Sequence, residues 1–106
     1  MSAMKPTMRT AEAELRRLLE ANELTLGMYV RVHGDHLIAG RKESMGANGA
    51  LEDDDRVRFT QLPRGRYGLS VKRHTGRWEK TPFTGSIRET VDAVYSFMQH
   101  LVAPYR

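Results

Sequence analysis

Residues 27–41 read GMYVRVHGDHLIAGR, and this stretch decides the architecture of the chain. Apolar Met28, Val30 and Val32 alternate with more polar neighbours, which is the period of a half-buried β-strand. The pair Gly34-Asp35 is typical of the two-residue turn that supplies the positive φ of a tight hairpin. A returning strand is predicted over residues 37–41. The stretch therefore predicts an antiparallel β-hairpin.

The same alternation recurs further along the chain. A third strand is predicted over residues 56–62, followed by a turn at residues 62–65 in which proline presets φ and glycine closes the hairpin. The fourth strand should direct three apolar side chains inward: Tyr67, Leu69 and Val71. A fifth strand is expected over residues 77–81, which Pro82 either ends or places at a sheet edge. Five short strands with short turns predict a meander.

Helices are predicted at both ends of the strand region. Thr10 is expected to cap a first helix that places Leu15, Leu18 and Leu19 on one face and stops near Asn22. Residues 86–89 read SIRE, which matches the capping box of a helix start. The apolar residues of this second helix recur at spacings of three and four: Ile87, Val91, Val94, Met98 and Leu101.

The order of helix, five strands and helix predicts an α+β domain, because the turns are too short for parallel crossovers. We expect an N-terminal helix, a five-stranded antiparallel meander sheet and a C-terminal helix, with both helices on one face of the sheet. Residues 1–9 are predicted to be a disordered tail, residues 10–103 a single α+β domain, and residues 104–106 a second tail. Within the domain, residues 42–55 break every pattern and are predicted to form a flexible acidic loop.

Positive charge is concentrated in one segment of the chain. Residues 56–88 contain nine basic residues and a single acid, Glu79, whereas residues 1–55 and 89–106 are net negative and the whole chain carries +4. Aromatic residues are interleaved with these cations, which is typical of surfaces that bind polyanions. The alternation directs one set of residues to the sheet face away from the helices: Tyr29, Arg31, His33, Arg56, Arg58, Thr60, Arg66, Ser70 and Lys72.

This predicted basic platform has two interpretations. Its cations are suited to neutralise phosphates while an aromatic ring stacks on a base, as in single-stranded nucleic-acid binding. The same residues are also ordinary occupants of a solvated sheet face. On the first interpretation, the candidate nucleic-acid-binding residues are Arg31, Arg56, Arg58, Arg66, Lys72, Arg73, Arg77 and Trp78.

Sequence patterns for metal binding and for catalysis are weaker than the basic platform. The acidic run at residues 52–55 lacks the ligand spacing of a calcium loop and is expected to be a solvated charged loop, or to fold across the basic platform and compete with an anionic ligand. His33 and His36 flank the first turn, but two histidines do not complete a zinc site. The chain contains no cysteine and no nucleophile-elbow pattern. We therefore expect no enzymatic activity, no cofactor and no metal.

The expected partner is single-stranded nucleic acid or another protein. The alternative to nucleic-acid binding is a protein-interaction module or a small homo-oligomeric protein that uses a strand edge or the Tyr67/Trp78 region. No stretch approaches the roughly 18 to 20 apolar residues of a membrane span, so we expect a cytoplasmic monomer or small homo-oligomer without a membrane partner.

Overall fold

The computed structural model of the chain describes residues 8–44 and 49–104. Its elements are α1 (Met8–Glu20), β1 (Tyr29–His33), β2 (His36–Ser44), β3 (Leu51–Leu62), a 3-10 turn (Pro63–Gly65), β4 (Arg66–Lys72), β5 (Trp78–Gly85), α2 (Ile87–Phe97) and α3 (Gln99–Val102). The strands form one antiparallel sheet in the order of the chain, β1-β2-β3-β4-β5. The predicted α+β meander is confirmed, and the C-terminal helical part consists of two helices rather than one.

The helices cover one face of the sheet, as predicted. Helix α1 packs on β1 and α2, while α2 also packs on β4 and β5. The core between them includes Leu15, Leu37 and Phe59, none of which exposes any surface. Most of the alternating apolar residues enter this core as expected: Val30, Val57, Tyr67, Leu69 and Val71. Val32, at the end of β1, does not, and it is 40% exposed. Within the described residues no helix has the length and apolar character to cross a bilayer.

A β-bulge in β3 changes which residues face the helices. Ala39 lies opposite Val57, but the next residue, Gly40, lies opposite Asp55. Arg56 is therefore an extra residue in β3, and two successive side chains, Arg56 and Val57, point to the helix side. The strands approach so closely here that a Cβ on Gly40 would lie 2.2 Å from a backbone carbonyl oxygen of β3.

The predicted flexible loop over residues 42–55 is wrong in its bounds. Strands β2 and β3 continue past the bulge as a two-stranded arm, in which Lys42 lies opposite Asp53 and Ser44 opposite Leu51. Oppositely charged cross-strand neighbours stabilise such a ribbon, and Lys42 Nζ is 2.5 Å from Asp53 Oδ1. Acidity alone therefore did not indicate a loop. Residues 45–48, at the centre of the predicted loop, lie outside the described residues.

The ends of the other elements differ from prediction by a few residues. Helix α1 begins at Met8, within the predicted tail, and the rest of that tail, residues 1–7, lies outside the described part, as do residues 105–106. The capping box of α2 is confirmed, because Ser86 Oγ accepts from the Glu89 N–H and Glu89 Oε1 accepts from the Ser86 N–H. Strand β5 continues through Pro82 to Gly85 and is an edge strand.

Candidate nucleic-acid interface

The sheet face opposite the helices, called here the open face, carries three rows of cross-strand neighbours. The central row crosses all five strands and consists of Arg31, Ile38, Arg58, Ser70 and Lys80. A second row contains His33, His36, Thr60, Gly68 and Thr84. A third lies toward the bulge and includes Tyr29, Gly40, Asp55, Lys72 and Trp78. Because side chains alternate along each strand, these rows share one side of the sheet.

Trp78 is the centre of a cationic cluster on the open face. The Arg58 guanidinium carbon lies 4.8 Å from the centroid of the indole ring, and Lys72 Nζ lies 5.9 Å from it. Both distances are within the range of cation–π attraction. Arg58, Lys72 and the neighbouring Lys80 form no ion pair with any residue that the structure describes. Their charges are therefore available to an anionic ligand.

Two small or apolar residues of the central row are buried although no helix covers them. Ile38 is 4% exposed and Ser70 is 3% exposed. Each lies opposite Arg58 on the neighbouring strand, and the long side chain of Arg58 is itself half-buried. The Arg58 Nε atom is itself buried and has no hydrogen-bond partner within the described residues. One guanidinium donor of Arg58 is therefore unused, but it lies out of reach of solvent.

Arg31 is on the open face, but its charge is neutralised. Arg31 donates to Asp55 Oδ2 at 2.6 Å, and the Tyr29 hydroxyl donates to Asp55 Oδ1 at 2.5 Å. Burial opposes ionisation of Asp55, but the hydrogen bonds from Arg31 and Tyr29 outweigh it, so the pKa of Asp55 lies below its ordinary value. Burial, followed by the hydrogen bond to Asp55, raises the pKa of the Tyr29 hydroxyl. All three groups keep their neutral-pH ionisation states.

Arg56 was predicted to lie on the platform, and this prediction is wrong. Because of the bulge it points to the helix side, where it is 6% exposed. It donates to the carbonyl oxygens of Leu101 and Ala103 and forms ion pairs with Asp54 and Glu43. A cation is favourable at the C-terminal end of a helix such as α3. Arg56 therefore fixes the C-terminal segment to the sheet.

Arg41 has a similar role, which the sequence analysis did not assign. It is also buried, and it donates to the carbonyl oxygens of Val102, Leu24 and Leu26. Desolvation by burial, followed by the nearby charge of Arg56, lowers the pKa of its guanidinium. The two buried arginines together hold the chain after α1 and the end of α3 against the arm.

The remaining predicted residues lie at the margins of the open face. Arg66 is exposed on β4 and donates to Thr84 Oγ1 at 2.6 Å. Arg73 is exposed beside the β4–β5 turn and is paired with Glu79. Arg77 is exposed at the other end of the same turn, where its carbonyl oxygen accepts from the Arg73 N–H. The structure therefore brings together Arg58, Lys72 and Trp78 of the predicted set.

The sequence analysis did not place Lys80 on the open face, where it completes the cluster. A signal was present, because Lys80 lies two residues after Trp78 in a predicted strand and so shares its face. The predicted role of the acidic run as a mobile competitor is wrong, since Asp53, Asp54 and Asp55 are paired side chains of β3. No group of three or more potential metal ligands occurs within the described residues.

Two concavities adjoin the cluster. A pocket of about 170 Å³ lies over Gly68 on the open face, with Lys80 and Ser70 in its wall. A cleft of about 450 Å³ lies at the end of β4 and includes Lys72, His74 and His100 in its lining. The two histidines come from distant parts of the sequence, and nothing in the sequence indicated that they would line one cleft.

Comparison with known proteins adds no assignment to this geometry. No model of a known family matches the chain, no curated protein is significantly similar to it, and no solved structure matches its fold.

Proposed function

We propose that the chain is a small non-enzymatic binding domain whose open face contacts single-stranded nucleic acid. The observation that carries the proposal is the Trp78 indole flanked by Arg58 and Lys72, with Lys80 beside them and no acid paired to any of the three within the described residues. A sheet face with this composition offers both charge for phosphates and flat groups for bases. The proposal is for a cytoplasmic monomer or small homo-oligomer.

The chemistry of each group fits this ligand. Lys72 and Lys80 are mobile point charges suited to phosphate oxygens. The Arg58 guanidinium is suited to a phosphate contact through its terminal N–H groups. Trp78 is half-buried, so its ring is held in place before a ligand arrives. Arg66 extends the positive charge along β4.

The alternative, a protein-interaction module that pairs by a sheet edge, has less support. On β1, the Val30 carbonyl oxygen already accepts a hydrogen bond from Arg16. On β5, Pro82 has no N–H to offer another strand. Tyr67 is buried in the core and is not part of an exposed aromatic surface. These features support the nucleic-acid proposal over edge pairing with a second chain.

The test is a fluorescence-anisotropy titration with labelled single-stranded DNA, single-stranded RNA and duplex DNA. Four phosphate contacts, from Arg58, Arg66, Lys72 and Lys80, predict a slope of about −2.8 in log K against log salt. Affinity for a single strand should then fall by about 50-fold between about 50 and about 200 mM salt. We expect single strands to bind more tightly than the duplex, since only unstacked bases reach the ring of Trp78.

A pair of charge-matched variants distinguishes binding by this surface from a general effect of the net charge of the protein. The first replaces Arg58, Lys72 and Lys80 with glutamine, and the second replaces the exposed helix residues Arg9, Arg17 and Arg88. Each removes three positive charges from the chain. The first should lower the magnitude of the salt slope by about 2, and the second should leave it nearly unchanged. Equal effects of the two variants, or no binding to any probe at low salt, would contradict the proposal.

A further inference from the structure

The pocket over Gly68 exists because β4 has no side chain at the centre of the second row. Thr60 and Thr84 flank Gly68 on the neighbouring strands, and Leu62 closes one end. A Cβ on Gly68 would have only one neighbour within 4 Å, Leu62 Cδ1 at 3.5 Å, which is an ordinary van der Waals contact. The backbone there does not require glycine by positive φ or by a close approach. The missing side chain therefore leaves usable space.

Most of the hydroxyl groups around the pocket are already engaged. Thr60 Oγ1 is hydrogen-bonded to His36 Nδ1, Thr84 Oγ1 accepts from Arg66, and Thr81 Oγ1 donates to the Leu69 carbonyl oxygen. Ser70 and Lys80 are the polar groups of the wall whose side chains make no hydrogen bond within the described residues.

A pocket with only two unengaged polar groups suits a flat ring with a polar edge better than it suits a phosphate. A phosphate group has several strong acceptor oxygens and needs a comparable number of donors. A binding pocket for an organic ring is mostly apolar with a few placed polar groups. The volume, about 170 Å³, equals that of about six water molecules at ~30 Å³ each, which is room for a single pyrimidine ring.

We infer that this pocket is the subsite for one pyrimidine base of a bound single strand, with Ser70 directed at a carbonyl oxygen of the base and Lys80 at the adjoining phosphate. The inference rests on the proposed function, since it assigns one base of the strand that the open face binds. Gly68 lies four residues from Lys72 along β4, or about 13 Å, and Lys72 is the cross-strand neighbour of Trp78. A strand crossing from Trp78 to the pocket would pass Lys80, whose charge lies midway along this path.

The experiment measures the binding of single strands with and without bases to the unmodified protein and to variants in which a side chain at position 68 fills the pocket. Gly68→Val fills the space with a residue that favours strands, and Gly68→Ala fills it in part. The probes are labelled oligothymidylate, oligodeoxyadenylate and a wholly abasic strand, each of about 12 nucleotides. The abasic strand carries the same phosphates, so it reports the contacts of Arg58, Lys72 and Lys80 alone. Thermal unfolding of each variant confirms that the fold is retained.

The unmodified protein should prefer oligothymidylate to the adenylate and to the abasic strand. Gly68→Val should weaken oligothymidylate binding about tenfold, the scale of one lost base contact, and leave binding of the abasic strand unchanged. Gly68→Ala should fall between the two. Oligothymidylate binding that is tight and equal in the unmodified protein and both Gly68 variants would contradict the assignment of this pocket as a base subsite. The proposed function would still stand. Failure of the unmodified protein to bind any strand would overturn both.

Discussion

Arg56 and Arg58 lie two residues apart on one strand, and the structure gives them opposite roles. In a regular strand they would share a face, but the bulge turns Arg56 to the helix side and leaves Arg58 beside Trp78. Replacing Arg56 with methionine should therefore destabilise the fold, whereas Arg58→Gln should mainly weaken nucleic-acid binding.

The magnitude follows from the partners that Arg56 leaves behind. Its guanidinium bonds two carbonyl oxygens at the end of α3 and two carboxylates, Asp54 at 2.8 Å and Glu43 at 2.9 Å. Removing one member of a buried charge network costs about 3–5 kcal/mol, because the other charges stay desolvated and unpaired. At about 4 °C per kcal/mol for a domain of this length, the midpoint of thermal unfolding should fall by about 12–20 °C.

The measurement is thermal and urea unfolding followed by circular dichroism, with Arg58→Gln as the matched variant. Loss of the cation–π contact with Trp78 should cost Arg58→Gln at most about 1 kcal/mol. At a temperature where it is folded, Arg56→Met should also keep the salt slope of nucleic-acid binding. Midpoints of the two variants within about 3 °C of each other would refute the reasoning, because they would place both arginines in solvent.

Three further predictions concern Gly40 at the bulge and the acid opposite it, Asp55. Gly40→Ala should destabilise the protein by about 3 kcal/mol or more through overpacking, since the new Cβ would lie 2.2 Å from the Asp54 carbonyl oxygen; urea unfolding checks this, and a loss below about 1 kcal/mol would contradict it. Asp55→Asn should free the charge of Arg31 and add one phosphate contact, steepening the salt slope by about 0.7; an unchanged slope would show that Arg31 stays out of reach. Because the pKa of Asp55 is below its ordinary 3.8 in the folded protein, the stability it contributes is complete above that value and is lost as the pH falls through the lower folded pKa. Unfolding at neutral and acidic pH should accordingly show a smaller acid destabilisation in Asp55→Asn than in the unmodified protein.

The fold was predictable because its signals are local. Alternation with period two predicted the strands, and the short turns between them predicted antiparallel pairing. The Ser86–Glu89 capping box predicted a helix start. A helix with one apolar stripe must bury it, and here the sheet and the neighbouring helix provide that surface. The position of β5 at the edge was less certain from sequence, since Pro82 was equally compatible with the end of a strand.

The candidate site was only partly predictable, because one inserted residue reverses the alternation of a strand. Nothing in residues 51–57 shows which residue lacks a cross-strand partner, since that is decided by the pairing with β2. The error at Arg56 follows from this, whereas the loop assigned to residues 42–55 rested on the glycines and acids of that segment. The acids were interpreted as solvated because their partners, such as Arg31 and Lys42, are distant in sequence.

The cations of residues 56–88 therefore do not all lie on the open face of the protein. Of the nine cations in this segment, Arg56 is buried and paired with acids on the helix side, and Arg73 forms an ion pair at the β4–β5 turn. Arg88 lies on α2, on the other side of the sheet. What the open face keeps is a small group around Trp78 together with Arg66 at its margin. A surface with so few free charges gives a modest salt slope compared with the slope of about −10 of a strong duplex binder. Specific contacts to bases, such as the one assigned to the Gly68 pocket, must then supply a large share of any tight binding.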